Sequence, residues 1–121
     1  VDDEESLAAA GAFRLRRLGY KVETFSDPLR AEEAFRRNPS GYDLLVTDQT
    51  MPGLLGSELA AKLMSISPGL PVILSTGYSQ VIDEPQARAM GIGAFLMKPY
   101  TSSQLAQAVR NVLDGKERMQ A

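Results

Sequence analysis

Two residue types are missing altogether, and each absence removes a class of chemistry. With no cysteine among 121 residues, there is no disulfide framework and no thiol nucleophile, in keeping with a reducing cytoplasmic setting. With no histidine, the Ser-His-Asp mechanism, most zinc sites and a role as phosphohistidine donor fall away. A covalent intermediate then has to form on a carboxylate, a hydroxyl or an amine. A basic surplus is missing as well: 13 Lys and Arg stand against 15 Asp and Glu, which argues against direct contact with DNA or RNA. No apolar run approaches the ~20 residues of a membrane span, and no signal-peptide pattern is present. The remainder, 44% apolar and 23% charged, is ordinary for a soluble globular chain whose length fits one domain over residues 1–121.

Periodicity supplies the elements. Leu7, Gly11, Leu15 and Leu18 recur at helical spacing before Gly19, which predicts a helix over about 5–18. Residues 20–25 alternate like a half-buried strand. Ser26-Asp27-Pro28 is a helix opener, with the helix running over about 28–37 and stopping before Asn38-Pro39. Leu44 to Thr47, Val72 to Ser75 and Ala94 to Met97 are short apolar runs, as expected of strands covered on both faces. Helices are expected at about 57–66, in a short stretch from near Pro85 to Gly91, and at about 102–113, where Leu105, Ala108, Val109 and Val112 mark one face.

Helix, then strand and helix four times, implies a doubly wound parallel α/β sheet with right-handed crossovers and helices on both faces. A first strand is expected ahead of Asp2, yet only Val1 stands there, short of the ~5 residues a strand usually needs. The expectation is an N-terminally trimmed first strand.

Parallel sheets bind ligands at the carboxyl ends of their strands. In this chain those ends carry Asp2 and Asp3, Asp48, Thr76-Gly77 and Lys98-Pro99. Like charges ~4 Å apart repel by about 4 kcal/mol at an effective dielectric of 20. Three converging carboxylates would then cost on the order of 10 kcal/mol, comparable with the whole stability of a domain. Lys98 relieves part of this. A divalent cation such as Mg²⁺, which prefers oxygen ligands, relieves the rest without removing the charges. Taken singly, each residue has a plainer role: the acidic run Asp2 to Glu5 favours a helix N-terminus, Asp48 suits a turn before Met51-Pro52-Gly53, Thr76 suits a cap, and Lys98 a surface charge. Their combination, in order at four strand ends, points to a site for a metal and a phosphoryl group.

These pieces resemble the receiver domain of two-component response regulators: Asp2-Asp3, Asp48 with Met51-Pro52-Gly53, Thr76-Gly77 and Lys98-Pro99, spaced alike over nearly the whole chain. The resemblance implies a five-stranded flavodoxin-like sheet of order 2-1-3-4-5. It implies a phosphorelay role in which Asp48 takes a phosphoryl group from a phosphohistidine of a histidine kinase or histidine phosphotransfer protein. Asp3 would be the direct ligand of Mg²⁺ (or Mn²⁺), with Asp2 its helper and Asp48 and the Thr50 backbone carbonyl completing the protein's share. Lys98, the Thr76 hydroxyl and the Gly77 backbone N–H would hold phosphoryl oxygens, and Lys98-Pro99 would be a candidate cis peptide. The domain would catalyse only its own phosphorylation and dephosphorylation.

In the family, Thr76 moves toward the phosphoryl group and an aromatic, here Phe95, fills the vacated space, a population shift read out on the fourth helix, fifth strand and fifth helix. Plain core packing is the rival role for Phe95. Leu55 departs from the polar or acidic residue many members carry there. Tyr78, near the acceptor, implies slower phosphate loss than in a Tyr78→Gly variant. The chain is expected to be a stand-alone regulator or the receiver of a larger protein, such as a hybrid sensor kinase, without membrane contact of its own. Two rival families fit poorly. A haloacid-dehalogenase-type phosphohydrolase needs a second aspartate where Thr50 stands, and a flavodoxin would bind phosphate where Asp2-Asp3-Glu4-Glu5 repels it. Gly91-Ile92-Gly93 reads as a helix stop and turn. A receiver-like module that binds a protein partner without being phosphorylated is the remaining alternative.

Overall fold

The computed structural model describes residues 1–77, 89 and 91–120, with Leu7 and 115–120 described as helix backbone only. The elements, in order, are α1 (Glu5–Arg17), α2 (Pro28–Arg37), a 3₁₀ turn (Pro39–Gly41), β1 (Leu45–Asp48), α3 (Gly56–Ile66), β2 (Val72–Thr76), β3 (Ala94–Met97) and α4 (Ser102–Gln120). The expected short helix from Pro85 to Gly91 and the environment of Tyr78 lie outside the described residues.

Local chemistry accounts for the boundaries. Asp27 Oδ1 accepts from Leu29 N–H at 2.9 Å and Pro28 opens α2, while Arg36–Glu32 (2.8 Å) and Arg37–Glu33 brace its exposed face. At α4, Thr101 Oγ1 accepts from Gln104 N–H at 3.1 Å and Gln104 Oε1 accepts from Thr101 N–H at 2.8 Å, a reciprocal capping box. Gly19, at φ 99°, ends α1 in the left-handed region that favours glycine. The last helix runs to Gln120, beyond the 113 expected from its apolar face. The Arg110–Asp114 pair (3.2 Å) and a run of good helix formers carry it on.

Among the described residues the sheet has three parallel strands in the order β1-β2-β3, with Leu45 opposite Val72 and Ile73 opposite Ala94. Side chains alternate across β2. Val72 and Leu74 join Phe35, Leu45, Leu59, Leu63 and Ile92 on one face, and Ile73 joins Leu15, Leu105 and Val109 on the other. Burying both faces is what a run of consecutive apolar residues requires. Each such side chain contributes about 1.5–3 kcal/mol of transfer free energy, and truncating Leu59, fully buried, to Ala would cost about 2–5 kcal/mol.

Residues 20–25 form no ladder. Tyr20 and Val22 face the α1/α4 side and Phe25 the α2/α3 side, so the strand-like alternation holds. A ladder needs a continuous partner. Here the backbone bond linking the segment to the sheet side is Asp2 N–H to Phe25 O (3.0 Å). Val1 lies on the other flank, its carbonyl accepting from Asp48 N–H at 2.9 Å and its amine donating to Val46 O at 2.6 Å.

Candidate functional site

β1 and β2 end side by side, with Asp48 paired in register to Ser75 and Thr76 to Met97 on β3. That register puts Asp48, Thr76 and Lys98 at one rim of the sheet. Residues 1–2, bound to β1, bring Asp2 and Asp3 to the same rim. One carboxylate oxygen from each of Asp2, Asp3 and Asp48 lies within 4.8 Å of the others. Lys98 Nζ stands 3.2 Å from Asp48 Oδ2 and 3.5 Å from Asp2 Oδ2. The remaining oxygens are oriented by the backbone: Asp48 Oδ1 accepts from Gln49 N–H and Asp2 Oδ1 from Glu4 N–H, both at 2.9 Å. The second bond turns the chain into α1.

Burial decides the electrostatics. Asp2 and Asp48 are buried and Asp3 is exposed. Desolvation pushes the Asp48 carboxyl above the ordinary carboxylate value. The Lys98 ammonium pulls it down, Asp2 pushes it further up, and the Gln49 N–H lowers it. Burial disfavours the charge on Lys98, but bonding and attraction to Asp48, with help from Asp2, outweigh it and its pKa is raised. The two directions agree physically: the ammonium is content beside two carboxylates, whereas one ammonium does not repay Asp48 for leaving water.

The donor set suits a hard divalent cation, since every candidate ligand is an oxygen and three carboxylates gather beside one lysine ammonium. Thr76 Oγ1 is buried with no hydrogen-bond partner among the described residues. A buried hydroxyl left unpaired costs about 1–3 kcal/mol, and an incoming oxyanion would satisfy it. Gly77 follows β2, and a Cβ there would meet nothing within 4 Å. Thr50 is exposed in the loop after Asp48, and the Lys98–Pro99 peptide bond is cis. Phe95 sits half-buried on β3 opposite Leu74 and packs against the α2/α3-side core.

Sequence reasoning missed how the β1–α3 loop is held. Gln49 is buried, and its amide bonds twice to Ser57: Oε1 accepts from Ser57 N–H (2.7 Å) and Nε2 donates to Ser57 Oγ (3.0 Å). Gly56 approaches so closely that a Cβ would collide with the Asp48 carbonyl.

Comparison with known proteins agrees with this geometry. Residues 1–110 match the family model of the response regulator receiver domain. The sensory transduction protein RegX3 of Mycolicibacterium smegmatis is 34% identical over 113 residues, 93% of this chain and 48% of that protein. The transcriptional regulatory protein GlrR of Escherichia coli is 31% identical over 94% of this chain and 25% of its own length. The chain thus spans about half or less of these curated relatives. The crystal structure of a response regulator receiver domain protein from Clostridium thermocellum superposes with a TM-score of 0.89 at 29% identity, covering 98% of this chain and 94% of that one. A CheY-like receiver from Methanospirillum hungatei gives 0.86 at 26%, covering 98% and 93%. A clustered acidic triad beside a lysine, at the carboxyl rim of a flavodoxin-like parallel sheet with flanking helices, therefore has a ready explanation: the chain belongs to the response regulator receiver family.

Proposed function

We propose that Asp48 accepts a phosphoryl group from a phosphohistidine on a histidine kinase or histidine phosphotransfer protein. One Asp48 carboxylate oxygen forms a bond to phosphorus. The phosphorus–nitrogen bond breaks, and its electron pair leaves with the imidazole. Phosphoryl transfer is mainly positioning and charge neutralisation. Lys98, already 3.2 Å from Asp48, is the cation for one phosphoryl oxygen, and the Thr76 hydroxyl and Gly77 N–H are donors to others. Asp3, Asp2, Asp48 and the Thr50 carbonyl are the ligands for Mg²⁺ (or Mn²⁺), which when bound supplies the remaining positive charge. Thr76 and Phe95 form the switch, with Thr76 drawn to the phosphoryl group and Phe95 changing its packing.

The observation that carries this reading is the convergence of three carboxylates with Lys98 at the strand ends, where the Thr76 hydroxyl is buried without a partner among the described residues. The test is intact mass after treatment with acetyl phosphate and Mg²⁺. A gain of one phosphoryl group, abolished in Asp48→Asn, is expected. No gain, or the same gain in the variant, favours a module that only binds a partner.

The finer sheet order 2-1-3-4-5 belongs to the same proposal. Residues 1–2 are hydrogen-bonded to β1 on one flank and to Phe25 on the other, the position of a strand between residues 20–25 and β1.

A further inference from the structure

Helix α3 begins in an unusual way. Its N-cap is Leu55, whose side chain has no acceptor for the amides of the first turn. The reciprocal half of a capping box is present, with Leu55 N–H donating to Glu58 Oε1 at 3.0 Å. The acceptors that Leu55 cannot supply come instead from Gln49, seven residues before the helix starts. Gly56 N–H donates to the Gln49 backbone carbonyl at 2.8 Å, and Ser57 N–H donates to Gln49 Oε1 at 2.7 Å. Ser57 N–H can only donate, which fixes the orientation of the amide. Nε2 then meets Ser57 Oγ at 3.0 Å. Both side chains are buried, so these groups have no ready exchange with water.

The same residue is fastened to the site. Gln49 N–H is shared between Ser75 O at 2.8 Å and Asp48 Oδ1 at 2.9 Å. Its backbone N–H, its carbonyl and both ends of its amide are therefore all engaged. One bond fixes the Asp48 carboxylate, one ties the strand ends together, and three hold the start of α3. Thr50 is the next residue, joined to Gln49 by one peptide unit.

We infer that Gln49 is a positioning residue: it caps α3 in place of Leu55 and thereby holds the Asp48 carboxylate and the Thr50 carbonyl in the geometry a divalent cation needs. This rests on the metal site proposed above. Without the amide, the Ser57 N–H is orphaned, and of the three bonds at the start of α3 only that from Gly56 N–H to the Gln49 carbonyl still ties the β1–α3 loop to the helix. The cation must then order the loop when it binds, and its affinity falls. Loss of a helix N-cap is typically worth about 1 kcal/mol, which is about fivefold in affinity at 1.4 kcal/mol per tenfold.

The test is Mg²⁺ titration of the unphosphorylated protein by calorimetry, well below the melting temperature, beside thermal melts. Gln49→Leu should raise Kd about fivefold, and Ser57→Ala about twofold, because it removes only the Nε2 acceptor. Leu55→Ser places a neutral acceptor at the N-cap. Alone it should leave Kd unchanged, and combined with Gln49→Leu it should restore Kd to within about twofold of the parent. An unchanged Kd in Gln49→Leu or Ser57→Ala, whichever is folded at the measuring temperature, overturns the inference, even if melting falls, because a merely structural role lowers stability alone. A double variant that recovers stability but not affinity also overturns it. If the parent itself shows no saturable Mg²⁺ binding, or Asp48→Asn binds as well as the parent, the metal reading falls and takes this inference with it.

Discussion

Replacing Asp48 with asparagine should make the metal-free protein more stable, and the sign follows from the site. At an effective dielectric of 20, the Lys98 ammonium 3.2 Å away attracts the Asp48 carboxylate by about 5 kcal/mol, and an Asp2 oxygen within 4.8 Å repels it by at least about 3.5 kcal/mol. The balance is an attraction of at most about 1.5 kcal/mol, against a desolvation penalty of several kcal/mol per buried ion. Desolvation wins, in agreement with the raised pKa of Asp48. We expect Asp48→Asn to gain about 1–2 kcal/mol at pH 7 in EDTA, measured by urea unfolding. The pH dependence is a second check. For an acid whose folded pKa is raised, the native state binds more protons between the unfolded and folded values, so native stability falls as pH rises through that window. The difference between variant and parent should therefore be full above the raised value and vanish below the unfolded value of 3.8. Saturating Mg²⁺ should reverse the ranking, since at 100 times Kd it adds about 2.7 kcal/mol to the parent and little to the variant. A metal-free Asp48→Asn less stable than the parent at pH 7, or a gap that persists at pH 3, refutes this account of the charge balance.

Three further outcomes follow from the same geometry. Lys98→Met should destabilise the metal-free protein by about 2–3 kcal/mol, near the lower end of breaking a buried ion pair because Lys98 is partly exposed, and Mg²⁺ should recover most of it in urea melts. In the parent, the raised Lys98 pKa means its contribution is complete below 10.5 and is lost as pH rises through the folded value. Thr76→Val, which removes an unpaired buried hydroxyl at constant shape, should stabilise the unphosphorylated protein by up to about 1 kcal/mol while slowing phosphorylation in the mass assay; a loss above 1 kcal/mol would reveal a partner for that hydroxyl. Gly56→Ala forces a Cβ against the Asp48 carbonyl and should lower stability by about 1–3 kcal/mol, read as a reduced urea midpoint at unchanged m-value; a shift under 0.5 kcal/mol would show that α3 can move away freely.

The site was legible because it sits where apolar runs stop. Asp48, Thr76 and Lys98 each close or follow an apolar run, so three strand ends could be marked from the sequence. The strand edges shifted by one residue at most, β1 starting at Leu45 rather than Leu44 and β2 ending at Thr76 rather than Ser75. What composition could not show was tertiary. Residues 20–25 alternate faces as expected, yet alternation fixes only side-chain direction, whereas a ladder depends on a neighbour's backbone. The end of α4 was set by helix-forming polar residues after the apolar face ended. Gln49 was invisible for a different reason. A single glutamine after a strand carries no signal until Ser57, eight residues on, folds back to meet it.

The site works against the fold that carries it. Three features are each unfavourable in the metal-free, unphosphorylated state: a buried carboxylate held above its ordinary pKa, a second buried carboxylate beside it, and a buried hydroxyl without a partner. Replacing these groups with apolar or neutral isosteres would improve stability, so the cores on the two faces of the sheet must offset them. A divalent cation relieves the first two and a phosphoryl oxygen the third. On the proposed function, ligand binding would act on these unfavourable terms and shift the packing around Thr76 and Phe95. It also separates two kinds of residue in this chain: Gln49, Ser57 and Gly56 hold the frame, while Asp48 and Asp2 share one lysine ammonium and the Thr76 hydroxyl has no partner among the described residues.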